Sequence, residues 1–293
     1  SLSGIFNHSD YKPGDNIFIV NTVTANGSTA LDWNGEEYGQ VLIYRYPGGH
    51  PLSPYTNSTN HYVDYSTTYP SNMGFAGPLV QVETSMSIHG IVLDGFQNIR
   101  TTTTPNPQDP SNILYYNPDA YVTPTAPLIS VAENANLTVY GQSGFQWNYS
   151  NGNGGAIYNA GTMYINDGSF INNNAVLSSD YNGAGVYLKD GSTLIVSDLV
   201  NITNNHVVTH TGNATSDDPN NNVYLVSEGS VIQVGTLDPN DVYDQLDNAS
   251  SIGVTKGEWG RYYYTPIAYS EVGSDVLENL MPEDEEAPAE DYL

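Results

Sequence analysis

Cysteine is absent, so neither a disulfide framework nor a thiolate metal site is open to this chain. Basic residues are almost absent too: 6 Lys and Arg stand against 32 Asp and Glu, a formal charge of −26. Such a polyanion has no Coulomb attraction for nucleic acid or for an anionic membrane surface. Polyuronates and sulfated glycans are excluded on the same ground, unless Ca²⁺ bridges the two partners. No apolar run reaches the length of a membrane span, so no membrane insertion of this segment is expected. No signal peptide or wall-sorting motif is visible, and the chain starts abruptly at Ser1, which reads as a piece of a larger parent protein. Neutral glycans, proteins and divalent cations are left as partners.

What is present is Asn (33 residues), Tyr (24) and Gly (28), arranged in repeats. The segment Gly155–Asn174 aligns with Gly185–Asn205 once Ser192 is treated as an insertion, which sets Gly161 over Gly191. Met163 then matches Leu194, Ile165 matches Val196, Asp167 matches Asp198 and Ile171 matches Ile202. Asn222–Val234 is a third copy, and the period is about 30 residues. Upstream, Pro78–Val82 with Met86–Gly90 resembles Pro127–Val131 with Leu137–Gly141. Each short segment alternates apolar and polar side chains, the period of a half-buried strand, and none has helical spacing.

One rung with a single apolar face cannot bury that face alone, whereas stacked copies can. The expected fold is therefore all-β: a right-handed, single-stranded parallel β-helix. Met163, Ile165, Leu194, Val196, Ile232 and Val234 would point inward. Asn172, Asn173, Asn174, Asn204 and Asn205 would sit at corners, where Asn tolerates left-handed backbone and can hydrogen-bond along the stack. An antiparallel sandwich is the alternative, but it does not require copies in register. Two long excursions interrupt the rungs at about 47–77 and 97–126, within a β-helix domain spanning 1–270. Residues 271–293, with six acids in the last eleven positions, read as a disordered linker or tail.

Gly154-Gly-Ala-Ile157 followed by Phe170-Ile-Asn-Asn173 resembles the paired repeats of chlamydial polymorphic outer-membrane proteins and related β-helix adhesins. The order of motifs along 14–268 is similar to adhesin-like β-helix regions in large surface proteins of gut bacteria. It runs from the strand at Gly14–Val23, through Val41–Arg45, Met86–Gly95, Pro127–Val131 and Gly154–Asn174, to Asn222–Val234 and Ile252-Gly-Val254. The resemblance implies extracellular display at a cell surface and adhesion; it does not name a ligand.

A lyase on this scaffold needs a clustered cationic base, but Lys12, Arg45, Arg100, Lys189, Lys256 and Arg261 are scattered. A pectinase-like hydrolase needs a tight Asp set with His, and the one Asp pair, Asp217-Asp218, lies in a polar loop. Carboxylates from different rungs could still meet, so a glycan-active enzyme stays open. Calcium is the candidate cofactor, with Asp217 and Asp218 beside Asn220–Asn222 as hard oxygen donors, and Asp238, Asp241, Asp244 and Asp247 as a second acidic run; the alternative is that both are solvated polar turns. His206 and His210 read as a solvated rung edge rather than metal ligands. Recognition is assigned to the excursions, through Tyr55, Tyr62, Tyr65 and Tyr69 in the first and Tyr115, Tyr116 and Tyr121 in the second. Tyr faces stack on sugars without any need for charge, whereas Tyr262–Tyr264 read as a cover for the end of the core. The function expected is a non-catalytic adhesin-like domain for a glycan or a host or partner surface protein. A structural surface-layer or fibre element is the third reading.

Overall fold

The computed structural model describes residues 17–19, 22–33, 41–45, 77–95, 126–208, 218–235, 246–257, 268–270 and 280–282. Among them there is no helix. After β1 (Ile17–Ile19), a first circuit holds β2 (Val23–Ala25), β3 (Ser28–Asp32) and β4 (Val41–Arg45). The second holds β5 (Val80–Val82), β6 (Ser85–His89) and β7 (Ile91–Asp94). The third adds a short fourth strand: β8 (Ile129–Val131), β9 (Asn136–Tyr140), β10 (Gly144–Gln146) and β11 (Tyr149–Ser150). The fourth repeats that pattern with β12 (Ile157–Asn159), β13 (Thr162–Ile165), β14 (Ser169–Asn172) and β15 (Ala175–Val176). The fifth does so with β16 (Val186–Leu188), β17 (Thr193–Val196), β18 (Val200–Thr203) and β19 (His206–Val207). Then come β20 (Val223–Leu225), β21 (Val231–Val234), β22 (Ser251–Lys256), β23 (Ala268–Ser270) and β24 (Leu280–Pro282).

Equivalent strands of successive circuits pair side by side, and all these pairings are parallel. A first face runs β2-β5-β8-β12-β16-β20, a second β3-β6-β9-β13-β17-β21-β23 and a third β1-β4-β7-β10-β14-β18. The first and third faces meet at β22, whose start pairs with β18 and whose end pairs with β20. β24, from within 271–293, pairs with β22 in turn. The described residues thus form an all-β solenoid of curled, all-parallel sheets around one main core.

That core explains the register. The six predicted inward residues are all buried to within 1 %. The stacked partners are those of the repeats: Met163 on Leu194, Ile165 on Val196 and Ile171 on Ile202. The upstream pair belongs to the same stack, with Val80 on Ile129 and Met86 on Leu137. Burying each Val, Leu or Ile contributes about 1.5–3 kcal/mol, and a slip of one residue would turn every one of them to solvent.

One alignment shifts. Thr162 pairs with Thr193, which sets Ser192, not Gly191, against Gly161. The two glycines answer different needs. Gly191 has φ +78 with open space around it, whereas a Cβ on Gly161 would run into the carbonyls of Ala135 and Ala132.

Of the predicted Asn corners, Asn172 lies instead at the end of β14, and the others divide into two kinds. Asn173 (φ 56) and Asn204 (φ 58) take the left-handed conformation, as Asn does readily. Asn174 and Asn205, one residue on, are fully buried and form a ladder. The Oδ1 of Asn174 accepts the backbone N–H of Asn148 at 3.0 Å, and the Oδ1 of Asn205 accepts both the N–H and the Nδ2 of Asn174 at 3.0 Å. Asn222 takes the next place, its Oδ1 accepting the N–H and Nδ2 of Asn205 at 2.9 and 2.8 Å.

Candidate functional site

All seven recognition residues assigned from sequence, Tyr55, Tyr62, Tyr65, Tyr69, Tyr115, Tyr116 and Tyr121, lie outside the described residues, as do Asp217, His210, Tyr262–Tyr264 and Asp238, Asp241 and Asp244. The anchoring points of both excursions are described. The chain leaves the third face after Arg45 in the first circuit and after Gly95 in the second. It is described again from Gly77 and from Ala126, just ahead of the first face. Both excursions therefore belong to one corner, between the third and first faces, in adjacent circuits.

Arg45 marks this corner. Alternation along β4 turns it inward with Val41 and Ile43, and it is only 1 % exposed. Its Nη1 donates to the Gly77 carbonyl at 2.5 Å and its Nη2 to the Pro127 carbonyl at 2.8 Å. One guanidinium, a planar fork of donors, thus ties together the points where both excursions come back to the stack.

The third circuit closes over the same corner. Gly95 donates its N–H to the Gln146 carbonyl at 2.9 Å. A Cβ on Gly95 would strike the backbone of Trp147 and Asn148. Asn148 reaches back with Nδ2 to the Ala126 carbonyl at 3.3 Å and to the Gly155 carbonyl at 2.5 Å. Its Oδ1, at the head of the Asn ladder, is buried with no hydrogen-bond partner among the described residues.

Trp147 occupies the left-handed position itself, with φ 53. The register of Gln146 on Asn172 and Asn172 on Thr203 puts Trp147, Asn173 and Asn204 in one column. Left-handed backbone costs a bulky L-residue about 1–2 kcal/mol, a penalty that Asn largely escapes. The Trp147 side chain is only partly buried.

Beside this corner, the outer side of the third face carries a polar column. Tyr44 pairs in register with Asp94, and Asp94 with Gln146, whose Nε2 donates to Asp94 Oδ2 at 2.9 Å. Asp94 is 1 % exposed. Burial, and next the Asp94 charge, push the Tyr44 phenol up to about 12, so it remains a neutral hydroxyl at ordinary pH.

The first face carries an aromatic column that the sequence reading missed. Tyr158, Tyr187 and Tyr224, central and outward in β12, β16 and β20, stack at 5.2 and 5.9 Å with planes 16° and 13° apart. The repeated Ile-Tyr-Asn, Val-Tyr-Leu and Val-Tyr-Leu triplets were the available signal. Their faces are engaged with one another, which leaves edges and hydroxyls outermost. Burial, then the neighbouring phenols, raises the Tyr187 pKa. Lys189 and Glu133 form an exposed ion pair nearby.

The remaining polar candidates are placed as follows. Asp218 is buried, and its backbone carbonyl faces His206 Nδ1 at 3.0 Å. Asp247 accepts the Ala249 N–H at 2.7 Å in an exposed turn. His206 corrects its sequence reading: it is 7 % exposed, and its Nε2 lies 2.9 Å from Asn204 Oδ1. Both ring nitrogens are engaged within the protein, which is why it sits inside rather than on a solvated edge. Among the described residues, no group of three or more His, Asp or Glu could hold a metal ion. Compared with known proteins, the chain matches no family model, no curated protein and no solved structure.

Proposed function

We propose that this chain is a non-catalytic, adhesin-like domain of a bacterial surface protein that binds a neutral glycan at the corner where its two Tyr-bearing excursions arise. The observation that carries this reading is the double anchoring of Arg45 to Gly77 and Pro127, which gathers the bases of both excursions in one place. Binding segments on a rigid scaffold are the usual division of labour between loops and core. The charge of −26 favours a neutral ligand, and aromatic side chains suit sugar faces. The scaffold itself is taken to be a right-handed, single-stranded β-helix, because connections between parallel strands of one sheet are right-handed in about 98 % of cases.

The test replaces residues 48–75 and 98–124, separately and together, with short Gly-Ser links, followed by circular dichroism and a glycan array. Retained β-structure with loss of glycan binding in the double deletion is the expected result. Unchanged glycan binding in the double deletion overturns the reading. Release of product from a polysaccharide panel by the intact chain would turn it into an enzyme.

A further inference from the structure

We infer that Trp147 is the scaffold's own contact with the ligand: a fixed aromatic platform for a neutral oligosaccharide, set at the root of the second excursion. This rests on the glycan-binding reading above. Three observations converge on the residue. In the two following circuits its column holds Asn173 and Asn204, residues suited to the left-handed backbone, with Gly95 at the place before it, yet here a large indole adopts that conformation at φ 53. Strain kept at one member of a repeated column points to a role outside folding. The side chain is partly exposed, so burial of the ring does not fully account for its presence. Its position is also bracketed by the second excursion, with Gly95 packed beneath its backbone and Asn148, its neighbour, bonded to Ala126.

Neighbouring chemistry fits the same ligand class. Gln146 is partly exposed next to Trp147 and supplies an amide, and the Tyr44 phenol remains neutral. A flat apolar face beside neutral hydrogen-bonding groups suits a sugar ring, which offers axial C–H groups on one side and hydroxyls around its rim. The same set offers an anionic ligand nothing, because the charged group there is the Asp94 carboxylate.

The experiment compares the full chain with W147N and W147F, using cello-, manno- and xylohexaose as probes. Affinity is read by calorimetry and by tryptophan fluorescence, alongside the melting temperature. W147N restores the residue of the other corners, so the melting temperature should hold or rise while affinity falls at least about tenfold. W147F keeps an aromatic face and should retain part of the affinity. Wild-type affinity in W147N overturns the inference, and if the double deletion still abolishes binding, the broader reading stands without it. A lower melting temperature in W147N marks Trp147 as a packing residue and also overturns it. If the unaltered chain binds none of the three hexaoses but does bind a protein on a surface array, this inference and the glycan reading fall together.

Discussion

Two corners of the solenoid solve the same problem with different balances of backbone fit and side-chain bonding. Between the first and second faces the links are short, Asn26-Gly27, Glu83-Thr84 and Ala160-Gly161 among them, and glycine fit is joined by local bonds: Gly27 donates its N–H to Thr84 Oγ1 at 2.7 Å and Gly161 donates its N–H to Asn159 Oδ1 at 3.0 Å. Gly161 fits under the Ala132 and Ala135 carbonyls, and Gly27 and Gly191 supply positive φ. Between the third and first faces a buried side-chain ladder, Asn148–Asn174–Asn205–Asn222, and the Arg45 fork hold the turn. A corner closed by such short links takes up only a few extra residues, two at Ala160-Gly161 becoming four at 189–192. One held by side chains tolerates chain added between its anchors, and loop closure becomes only slowly less favourable with length. This corner is the one that carries both excursions.

The largest effect is expected from Asn205→Ala, which breaks the side-chain corner at its middle. It strands the Asn174 N–H and the Ile171 carbonyl in a buried setting and frees the Thr203 carbonyl, whereas Asn174 Nδ2 keeps the Phe145 and Asn172 carbonyls. With about 1–3 kcal/mol for each group left buried and unsatisfied, a loss of roughly 3–5 kcal/mol in urea unfolding is expected. A loss under 1 kcal/mol would mean that the ladder follows the corner rather than holding it. Next comes Arg45→Met, which keeps the inward stem but frees the Gly77 and Pro127 carbonyls. A cost of about 2–4 kcal/mol is expected, with faster chymotryptic cleavage on the far side of these anchors. Equal cleavage rates would show that Arg45 does not restrain the excursions. The smallest effects come from the corner of short links and separate two of its glycines. Gly191→Ala should cost about 1 kcal/mol through φ alone, and Gly161→Ala about 2–3 kcal/mol through displacement of the Ala135 carbonyl. Reversal of that order in thermal melts would undo the distinction.

The stack was readable from the sequence because inward positions repeat an apolar type at a period that no other architecture requires. Met163/Leu194 and Ile171/Ile202 needed only that. The glycine alignment went one residue astray because a glycine required for space and one required for φ look alike in a sequence. The ladder was foreseen in outline, but the division between left-handed Asn173 and buried Asn174 depends on which way each corner turns. The candidate corner was the least legible part. Arg45 appeared as one of six scattered cations, since nothing local reveals that its partners lie at Gly77 and Pro127. Trp147 becomes unusual only when the register places it over Asn173. The Tyr158–Tyr187–Tyr224 stack was present as a repeated triplet and passed unread, because alternation marks a residue as outward without saying what it touches there.

The parallel pairing of every circuit with the next has a mechanical consequence. Hydrogen bonds between parallel strands lie in the sheet and cross from one circuit to the next, so here they run along the solenoid axis. A force that draws the two ends of the chain apart would load one circuit at a time and peel the stack as a zipper opens. Between Ile157 and Val186, paired at equivalent positions, each peeled circuit would release roughly 100 Å of chain at full extension. The circuits ending at Arg45 and at Asp94 carry the excursions and would release far more. The domain would thus resist a pull in unequal steps, the Asn ladder setting the even ones.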